Sequence, residues 1–159
     1  MNEMSNDSGE LRGVMIQVAG DSLLLPNASI AEILSVVDPE PIENAPEWLL
    51  GQVRWRGWQV PLVDFPTLAG QGGPERNLRG RRALVLKALG GNPRMPFFGV
   101  LTQGFPRLVT VSPSTLEEMT ASESTGVDDV AVPVLYQGEQ VLIPDMDRVE
   151  AMLGEALAG

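Results

Sequence analysis

Cysteine and histidine are both absent from the 159 residues of this chain. Their absence excludes disulfide bonds, zinc sites built on thiolate or imidazole ligands, and nucleophilic catalysis of the Ser-His or Cys-His type. Aspartate and glutamate could still hold magnesium or calcium, but such sites need several oxygens that converge on one point, and the sequence has no acidic loop with that spacing. We therefore expect no catalytic residue, no metal ion and no cofactor.

Basic residues are scarce, since 11 lysines and arginines face 21 aspartates and glutamates, which gives a formal net charge of −10. A chain with this balance repels nucleic acid, whose binding depends on neutralising phosphates, so we expect no nucleic-acid partner. A basic cluster does occur at Arg76, Arg79, Arg81 and Arg82. It is explained equally by a solvated loop that leads into a strand and by contact with an acidic partner, and the sequence leaves both open.

Long apolar runs and a leader sequence are also missing. Residues 1–13 are polar and acidic and lack the basic and apolar regions of a signal peptide, so residues 1–12 are expected to form a mobile tail. No apolar run approaches the length of a transmembrane helix. These absences predict a cytoplasmic protein that does not insert into a membrane.

Short β-rich runs bounded by glycine and proline turns make up most of the sequence. Their close spacing indicates a barrel or a sandwich rather than a parallel sheet with crossover helices, so the fold class is all-β. Residues 67–80 mark a long connection between two halves, and residues 117–129 are typical of a polar loop. The predicted strands cover residues 14–18, 23–26, 33–37, 51–56, 58–62, 82–87, 97–103, 107–111, 130–136 and 140–144.

Helical segments are predicted at three places. Ser29 and Glu32 have capping-box spacing, which indicates one helical turn after the first hairpin. Pro46 favours a short helix over residues 45–50. Asp145 can cap a closing amphipathic helix, whose apolar face consists of Met146, Val149, Leu153 and Leu157.

The most informative stretch is a hairpin within residues 44–65. Val53 and Trp55 alternate with Arg54 and Arg56, as expected for a strand with one solvated face, and Arg56-Gly57 forms the turn. The two arginines have an ordinary explanation as a solvated or structural ion pair with a carboxylate on a neighbouring strand. Exposed arginine and tryptophan are also enriched at binding hot spots, so the hairpin suggests a docking surface.

The three tryptophans have different expected environments. Trp55 shares a face with Val53 and is expected in the core, and Trp48 is expected to pack under the short helix. Trp58 follows the turn and is either a lid on the core or a contact residue. Pro61 restricts the second strand of the hairpin to an edge, a bulge or a bend, because proline cannot donate to the ladder.

These residues together resemble the CheW-like coupling domains of bacterial chemosensory systems. The segment of residues 20–34 is similar to the family's opening segment, with Ile30-Ala31-Glu32-Ile33 at its V-x-E-I pattern. Residues 83–108 and 130–153 resemble the later strands and the closing helix more loosely. The most specific match is the G-x-x-n-x-R-G-x-x-x-P-v-x-D run, here Gly51, Arg56-Gly57, Pro61 and Asp64.

The resemblance implies a fold and a function. The fold is two intertwined SH3-like five-stranded β-barrel subdomains with a C-terminal amphipathic helix, in a single domain over residues 13–157. Such adaptors have no active site. They bind the regulatory domain of a chemotaxis-type histidine kinase and the cytoplasmic tip of chemoreceptors, and so regulate motility.

The resemblance and the hairpin pattern together give a set of candidate partner-binding residues. In the family, the residues that correspond to Glu32 and Arg56 can pair across the first barrel. The segments that contain Ile30 and Gly51 are ones that the family uses against the kinase. The full candidate set is Ile30, Glu32, Gly51, Arg54, Arg56, Gly57 and Trp58.

Some positions depart from the family pattern. Arg54 replaces a usual asparagine and Trp55 a small aliphatic residue, Trp58 stands at a variable position, and Thr102-Gln103 stands where many members have Val-Asp. These departures concern the identity of the partner more than the fold. They suit an accessory adaptor of a pilus-linked chemosensory system.

Two other functions remain open. One is a β-barrel enzyme or small-ligand-binding domain that uses carboxylates such as Asp64 or Asp145, and the other is an adaptor that binds a response regulator in place of a receptor. A deep polar pocket with a carboxyl of raised pKa would favour the enzyme. An exposed apolar groove rimmed by Arg54 and Arg56 would favour the adaptor.

Overall fold

The computed structural model describes residues 10–35, 38–70, 80–91, 93–118 and 130–158. These ranges contain eleven strands, one 3₁₀ turn at Asn27–Ser29 and two helices, α1 (Phe65–Leu68) and α2 (Met146–Ala158). The strands are β1 (Leu11–Val18), β2 (Asp21–Pro26), β3 (Ile30–Ser35), β4 (Leu49–Trp55), β5 (Trp58–Val63), β6 (Arg81–Lys87), β7 (Phe97–Gln103), β8 (Arg107–Val111), β9 (Leu116–Glu118), β10 (Ala131–Tyr136) and β11 (Glu139–Pro144).

The strands form two sheets that exchange segments of the chain. A five-stranded sheet has the order β3-β6-β7-β5-β4, and we call it the first barrel. A six-stranded sheet has the order β8-β1-β2-β11-β10-β9, and we call it the second barrel. Because the second barrel combines the first two strands with the last four, the two units are intertwined, which confirms the predicted fold class. The second barrel has one strand more than predicted, since Glu117 and Glu118 pair with β10.

Two tight turns illustrate how the sequence sets the hairpins. Arg56 and Gly57 have φ angles of 50° and 81° between β4 and β5, and Gln137 and Gly138 have 50° and 85° between β10 and β11. Positive φ at both central residues matches the twist of the flanking strands, and glycine adopts it without steric cost. Both hairpins were predicted at these positions.

The main hydrophobic core lies between the two barrels. It contains Val14, Ile16 and Val18 of β1 together with Leu84 and Leu86 of the first barrel, and Val149 and Leu153 of α2 close it. Two smaller clusters fill the barrels themselves, Met15, Leu24, Val134 and Val141 in the second and Leu62, Ala83 and Leu101 in the first. Strand β1 therefore buries both of its faces.

The short helix predicted over residues 45–50 is wrong. The backbone N–H of Leu49 donates to the carbonyl oxygen of Pro46 (3.0 Å), which closes a single turn. Leu49 and Leu50 then open β4, where Leu49 pairs with Val63. The pairing with β5 outweighs the local helix signal, because short segments are decided by tertiary contacts.

The capping box at Ser29 and Glu32 is also wrong. Pro26 precedes the 3₁₀ turn and makes no side-chain cap, while Glu32 lies in β3. By contrast, Asp145 caps α2 as predicted, since its Oδ1 accepts a hydrogen bond from the backbone N–H of Arg148 (3.1 Å). Of the predicted apolar face of α2, Leu157 is exposed.

Several predicted segments fall partly outside the described residues. Strand β1 begins at Leu11, two residues before the expected domain boundary, and residues 1–9 lie outside. Helix α1 occupies the start of the expected connection, and residues 71–79, with Arg76 and Arg79, lie outside. The end of the strand predicted over residues 33–37 and most of the loop predicted over 117–129 also lie outside. Among the residues described, no helix combines the length and apolar character needed to cross a membrane.

Candidate partner-binding surface

The turn between β4 and β5 brings aromatic and charged side chains to one end of the first barrel. Trp55 and Trp58 are cross-strand neighbours on either side of Arg56-Gly57. Phe97, at the start of β7, packs beside both indole rings. We call the surface formed by Glu32, Trp55, Arg56, Gly57, Trp58 and Phe97 the tip surface.

Glu32 connects two strands of the tip surface. Its Oε1 accepts hydrogen bonds from the Trp55 indole Nε1 (2.9 Å) and from Arg56 Nη2 (3.4 Å). The predicted pair of Arg56 and Glu32 is therefore present. It is open to solvent, with 72% of the arginine side chain and 40% of the glutamate exposed. An ion pair this exposed adds about 0 to 1 kcal/mol to stability.

The aromatic rings form an edge-to-face cluster. The Trp55 and Phe97 ring centroids are 4.8 Å apart at 80°, and those of Trp58 and Phe97 are 6.2 Å apart at 62°. The Arg56 guanidinium carbon lies 5.2 Å from the centre of the Trp55 ring. Such contacts favour this arrangement of the rings and the guanidinium. The tip surface is therefore preorganised.

The environment of one tryptophan, Trp55, differs from the prediction. Trp55 is only partly buried and takes part in the tip surface, so its assignment to the core is wrong. Trp58 is 40% exposed and packs against Phe97. Trp48 is partly buried against the main core as expected, although the helix above it is absent.

Phe97 is the member of the tip surface that sequence reasoning missed. It starts a strand that was predicted correctly, and nothing in its local sequence separates it from a core residue. Its neighbours Trp55 and Trp58 are about 40 positions away in the sequence, so only the arrangement β7-β5-β4 brings the three together.

Ile30 and Gly51 have structural explanations. Ile30 is partly buried and packs against the main core. Gly51 is buried with φ of 145°, and a Cβ added there would lie 2.5 Å from the carbonyl oxygen of Glu40. Both residues therefore have a role in the packing or backbone geometry of the first barrel. Their predicted contact with a partner stays a prediction.

Arg54 lies away from the tip surface. It borders a cleft of about 380 Å³ between β3 and β4, which we call the seam cleft. Within the described residues, Arg54 and Arg56 thus border different features and do not rim one shared groove. The seam cleft is lined chiefly by Leu34, Asp38, Glu40, Val53, Arg54 and Gln59.

The carboxylates considered for an enzyme are placed by the fold. Asp64 is 4% exposed at the start of α1, and its backbone N–H donates to the carbonyl oxygen of Trp48 (2.8 Å). Asp145 is exposed and caps α2. Burial raises the pKa of the Asp21 carboxyl, which lies beside the first hairpin turn. The part of the chain that is described brings no three acidic side chains close enough to hold a metal ion.

Comparison with protein families adds the decisive observation. The family model of the CheW-like domain matches residues 12–152. This chain belongs to the CheW-like domain family. A solved structure of similar fold is the scaffolding protein TtCheW from Thermoanaerobacter tengcongensis, with a TM-score of 0.67 and 17% sequence identity over 84% of this chain and 83% of that chain. A search of curated proteins gives no match.

One departure from the CheW-like pattern has a visible local explanation. Thr102 is 1% exposed in β7, and its Oγ1 donates within reach of the carbonyl oxygens of Gly104 (3.2 Å) and Arg82 (3.5 Å). The hydroxyl is thus satisfied inside the barrel wall. The CheW-like fold accommodates threonine here without an exposed polar group.

Proposed function

We propose that this CheW-like chain is a non-enzymatic adaptor that joins a chemotaxis-type histidine kinase to chemoreceptors in the cytoplasm. The observation that supports it best is the tip surface, where an exposed tryptophan and an exposed arginine are held in place by Phe97 and Glu32. Tryptophan and arginine are the residue types that dominate binding hot spots. The kinase regulatory domain is the partner that we assign to this surface.

An adaptor needs a second contact surface, and the barrel junction offers one. Phe105 and Leu108, in the turn after β7 and at the start of β8, are 66% and 64% exposed. The Arg82 guanidinium carbon lies 3.9 Å from the centre of the Phe105 ring. We assign the receptor tip to this patch, because exposed apolar side chains in a group mark interaction sites.

The adaptor acts only through its affinities. A bound protein shifts the kinase between inactive and active arrangements no further than the difference in its affinity for the two. No proton transfer or nucleophile is needed for this role. Asp145 caps α2, and Asp64 is buried at the start of α1. Both carboxylates therefore have structural roles, which supports the adaptor over the enzyme.

Calorimetry with Arg56→Ala tests the kinase assignment. We expect the substitution to weaken binding of the kinase regulatory domain by about 1 to 3 kcal/mol through loss of a hot-spot contact. Stability should fall by less than about 1 kcal/mol, because the ion pair with Glu32 is exposed. Arg107→Ala removes an exposed arginine from the second barrel and should leave kinase binding unchanged. A folded Arg56→Ala variant with wild-type affinity would contradict the assignment.

A further inference from the structure

The last residue of β6 places a lysine beside the tip surface. Lys87 lies directly opposite Phe97 in the antiparallel pair of β6 and β7. Residues in opposite positions have their Cβ atoms about 5 Å apart on the same face of a sheet. Lys87 is therefore a cross-strand neighbour of the ring that packs beside both Trp55 and Trp58.

The lysine and the exposed tryptophan continue two buried rows of the barrel interior. Val85 lies two residues before Lys87 in β6, and Val60 lies two residues after Trp58 in β5. Both valines are fully buried. Because side chains alternate along a strand, Lys87 and Trp58 point to the same face as these valines. Both are exposed, so the two rows reach solvent at this end of the barrel.

The charge of Lys87 is not offset by a neighbouring carboxylate. Glu32 lies on β3, the strand beside β6, but its carboxylate is bonded to Trp55 and Arg56. Within the ranges that the structure describes, Lys87 has no ion-pair partner. The tip surface and Lys87 together thus have two cationic side chains and one anionic side chain, on a chain whose formal net charge is −10. A local excess of positive charge complements an acidic partner.

Exposed aromatic surface lies beside this charge. Trp58 is 40% exposed, and its ring centroid is 6.2 Å from that of Phe97. An apolar centre with charged residues at its margin is the usual arrangement of a binding hot spot. An aliphatic side chain of a partner would cover the exposed part of Trp58, and a carboxylate on an adjacent residue would meet Lys87.

We propose that the tip surface recognises a partner segment in which an aliphatic residue stands next to an aspartate or glutamate. The aliphatic side chain packs on Trp58, and the carboxylate pairs with Lys87. Lys87 is then a specificity-determining residue that lies outside the candidate set. The inference rests on the proposed function, because it takes the tip surface as a docking site, and it adds the chemistry of the docked segment.

A tethered peptide tests this recognition on the whole chain and without the kinase. The sequence has no cysteine, so Leu89→Cys supplies a single thiol at an exposed position two residues from Lys87. The probe is Cys-Gly-Gly-Leu-Glu-Leu-amide, and the matched control is Cys-Gly-Gly-Leu-Gln-Leu-amide, which lacks only the charge. Each peptide is equilibrated with the variant in a glutathione buffer. Mass spectrometry then gives the fraction of the chain that carries the peptide.

We expect the equilibrium constant for disulfide formation to be about threefold higher with the glutamate peptide, the scale of an exposed ion pair. Adding Lys87→Met should remove this preference, and adding Lys87→Arg should keep it. Thr110→Cys, at an exposed position of β8, is the control tether and should show no preference for the glutamate peptide. Absence of the preference at Leu89→Cys, or its persistence with Lys87→Met, would overturn the proposal.

The apolar part of the recognition has its own arm. Replacing both leucines of the probe with serine should lower disulfide formation, because the contact with Trp58 is lost. Equal formation with the leucine and serine peptides would overturn this part of the proposal. If Leu89→Cys does not fold, Gln59→Cys, at the exposed position next to Trp58, carries the same measurements.

Calorimetry with the kinase regulatory domain separates this inference from the proposed function. We expect Lys87→Glu to weaken kinase binding by about tenfold, since it places two like charges together. A kinase domain that does not bind the unaltered chain would contradict the proposed function, while the peptide preference would still support the inference. Unchanged kinase binding by Lys87→Glu, together with no peptide preference, would overturn the inference and leave the proposed function in place.

Discussion

Gly51 and Gly57 lie in the same hairpin and both have positive φ angles, but their surroundings differ. A Cβ at Gly51 would collide with the backbone of Glu40, whereas a Cβ at Gly57 would meet nothing within 4 Å. Both the positive φ angle and the lack of space therefore require glycine at position 51, whereas only the positive φ angle favours it at position 57. This difference gives Gly51 the stronger structural constraint of the two.

We expect Gly51→Ala to lower the free energy of unfolding by about 2 to 4 kcal/mol, because strain at this φ and overpacking add together. Gly57→Ala is the matched control and should cost about 1 kcal/mol, since only the conformational penalty applies. Urea denaturation of both variants checks the difference. Equal losses in the free energy of unfolding of the two variants would show that the backbone near Glu40 relaxes to admit the new Cβ. A binding defect of Gly51→Ala is attributed to a lost contact only if it exceeds the effect of this destabilisation.

Among individual residues, the pair of Arg56 and Glu32 was predicted, but the hydrogen bond from Trp55 to Glu32 was not. The resemblance to CheW-like domains pointed to both charged residues, and the structure places them 3.4 Å apart. Trp55 was assigned to the core from its alternation with Val53. Alternation identifies which side chains share a face, but it does not reveal how far along the barrel that face remains covered.

Among the elements, α2 contacts the described part of the loop between β6 and β7 through the side chain of Glu150. Glu150 accepts hydrogen bonds from the backbone N–H groups of Leu89 (3.0 Å) and Gly90 (2.7 Å). A Cβ at Gly90 would lie 2.6 Å from the same carboxylate. Helix α2 therefore does more than cover the core, because it also holds a loop of the first barrel.

We expect Glu150→Ala to destabilise the chain by about 1 kcal/mol, the usual contribution of hydrogen bonds that remain accessible to water. Amide exchange of Leu89 and Gly90 should become faster, while exchange in β6 and β7 stays slow. Glu155→Ala, on an exposed position of the same helix, is the control and should change neither. Unaltered amide exchange of Leu89 in Glu150→Ala would contradict the view that Glu150 holds this loop.

Elements were predictable from the sequence where their signal was local. Strands β7 and β8 were predicted at their observed bounds, because turn residues flank these two β-rich runs. The segment at residues 45–50 was not, since Pro46 favours a helix locally and the pairing of Leu49 with Val63 decides the outcome. The seam cleft was also beyond prediction, because it depends on how β3 and β4 approach each other.

In the whole molecule, the main core belongs to both barrels, so the two should unfold together. Leu142 of the second barrel and Leu84 of the first are both fully buried in it. All three tryptophans belong to the first barrel or the loop that leads into it. Tryptophan fluorescence therefore measures the unfolding of the first barrel, even when the substitution is in the second.

We expect Leu142→Ala to lower the free energy of unfolding, measured by tryptophan fluorescence, by about 2 to 5 kcal/mol, the range for large-to-small core substitutions. Far-UV circular dichroism should give the same midpoint, as expected for a single cooperative unit. Val132→Ala, which is exposed on the neighbouring strand, should have little effect. A fluorescence transition that stays in place while circular dichroism detects earlier melting would show that the barrels unfold separately.

The intertwined arrangement itself was implied by family resemblance and not by periodicity. Local patterns indicated many short strands and a barrel or sandwich, which is compatible with several topologies. Which strands pair depends on contacts between distant parts of the chain, such as the parallel pairing of β2 with β11. The match of the CheW-like family over residues 12–152 carries that information.

The adaptor role is tested most directly by a bridging measurement with purified components. The regulatory domain of a chemotaxis-type histidine kinase is immobilised, and a chemoreceptor cytoplasmic tip fragment is applied with and without this chain. We predict that the receptor fragment is retained only when this chain is present, and that Arg56→Ala reduces retention by weakening the kinase contact. Receptor retention that is independent of this chain, or absent in its presence, would contradict the account.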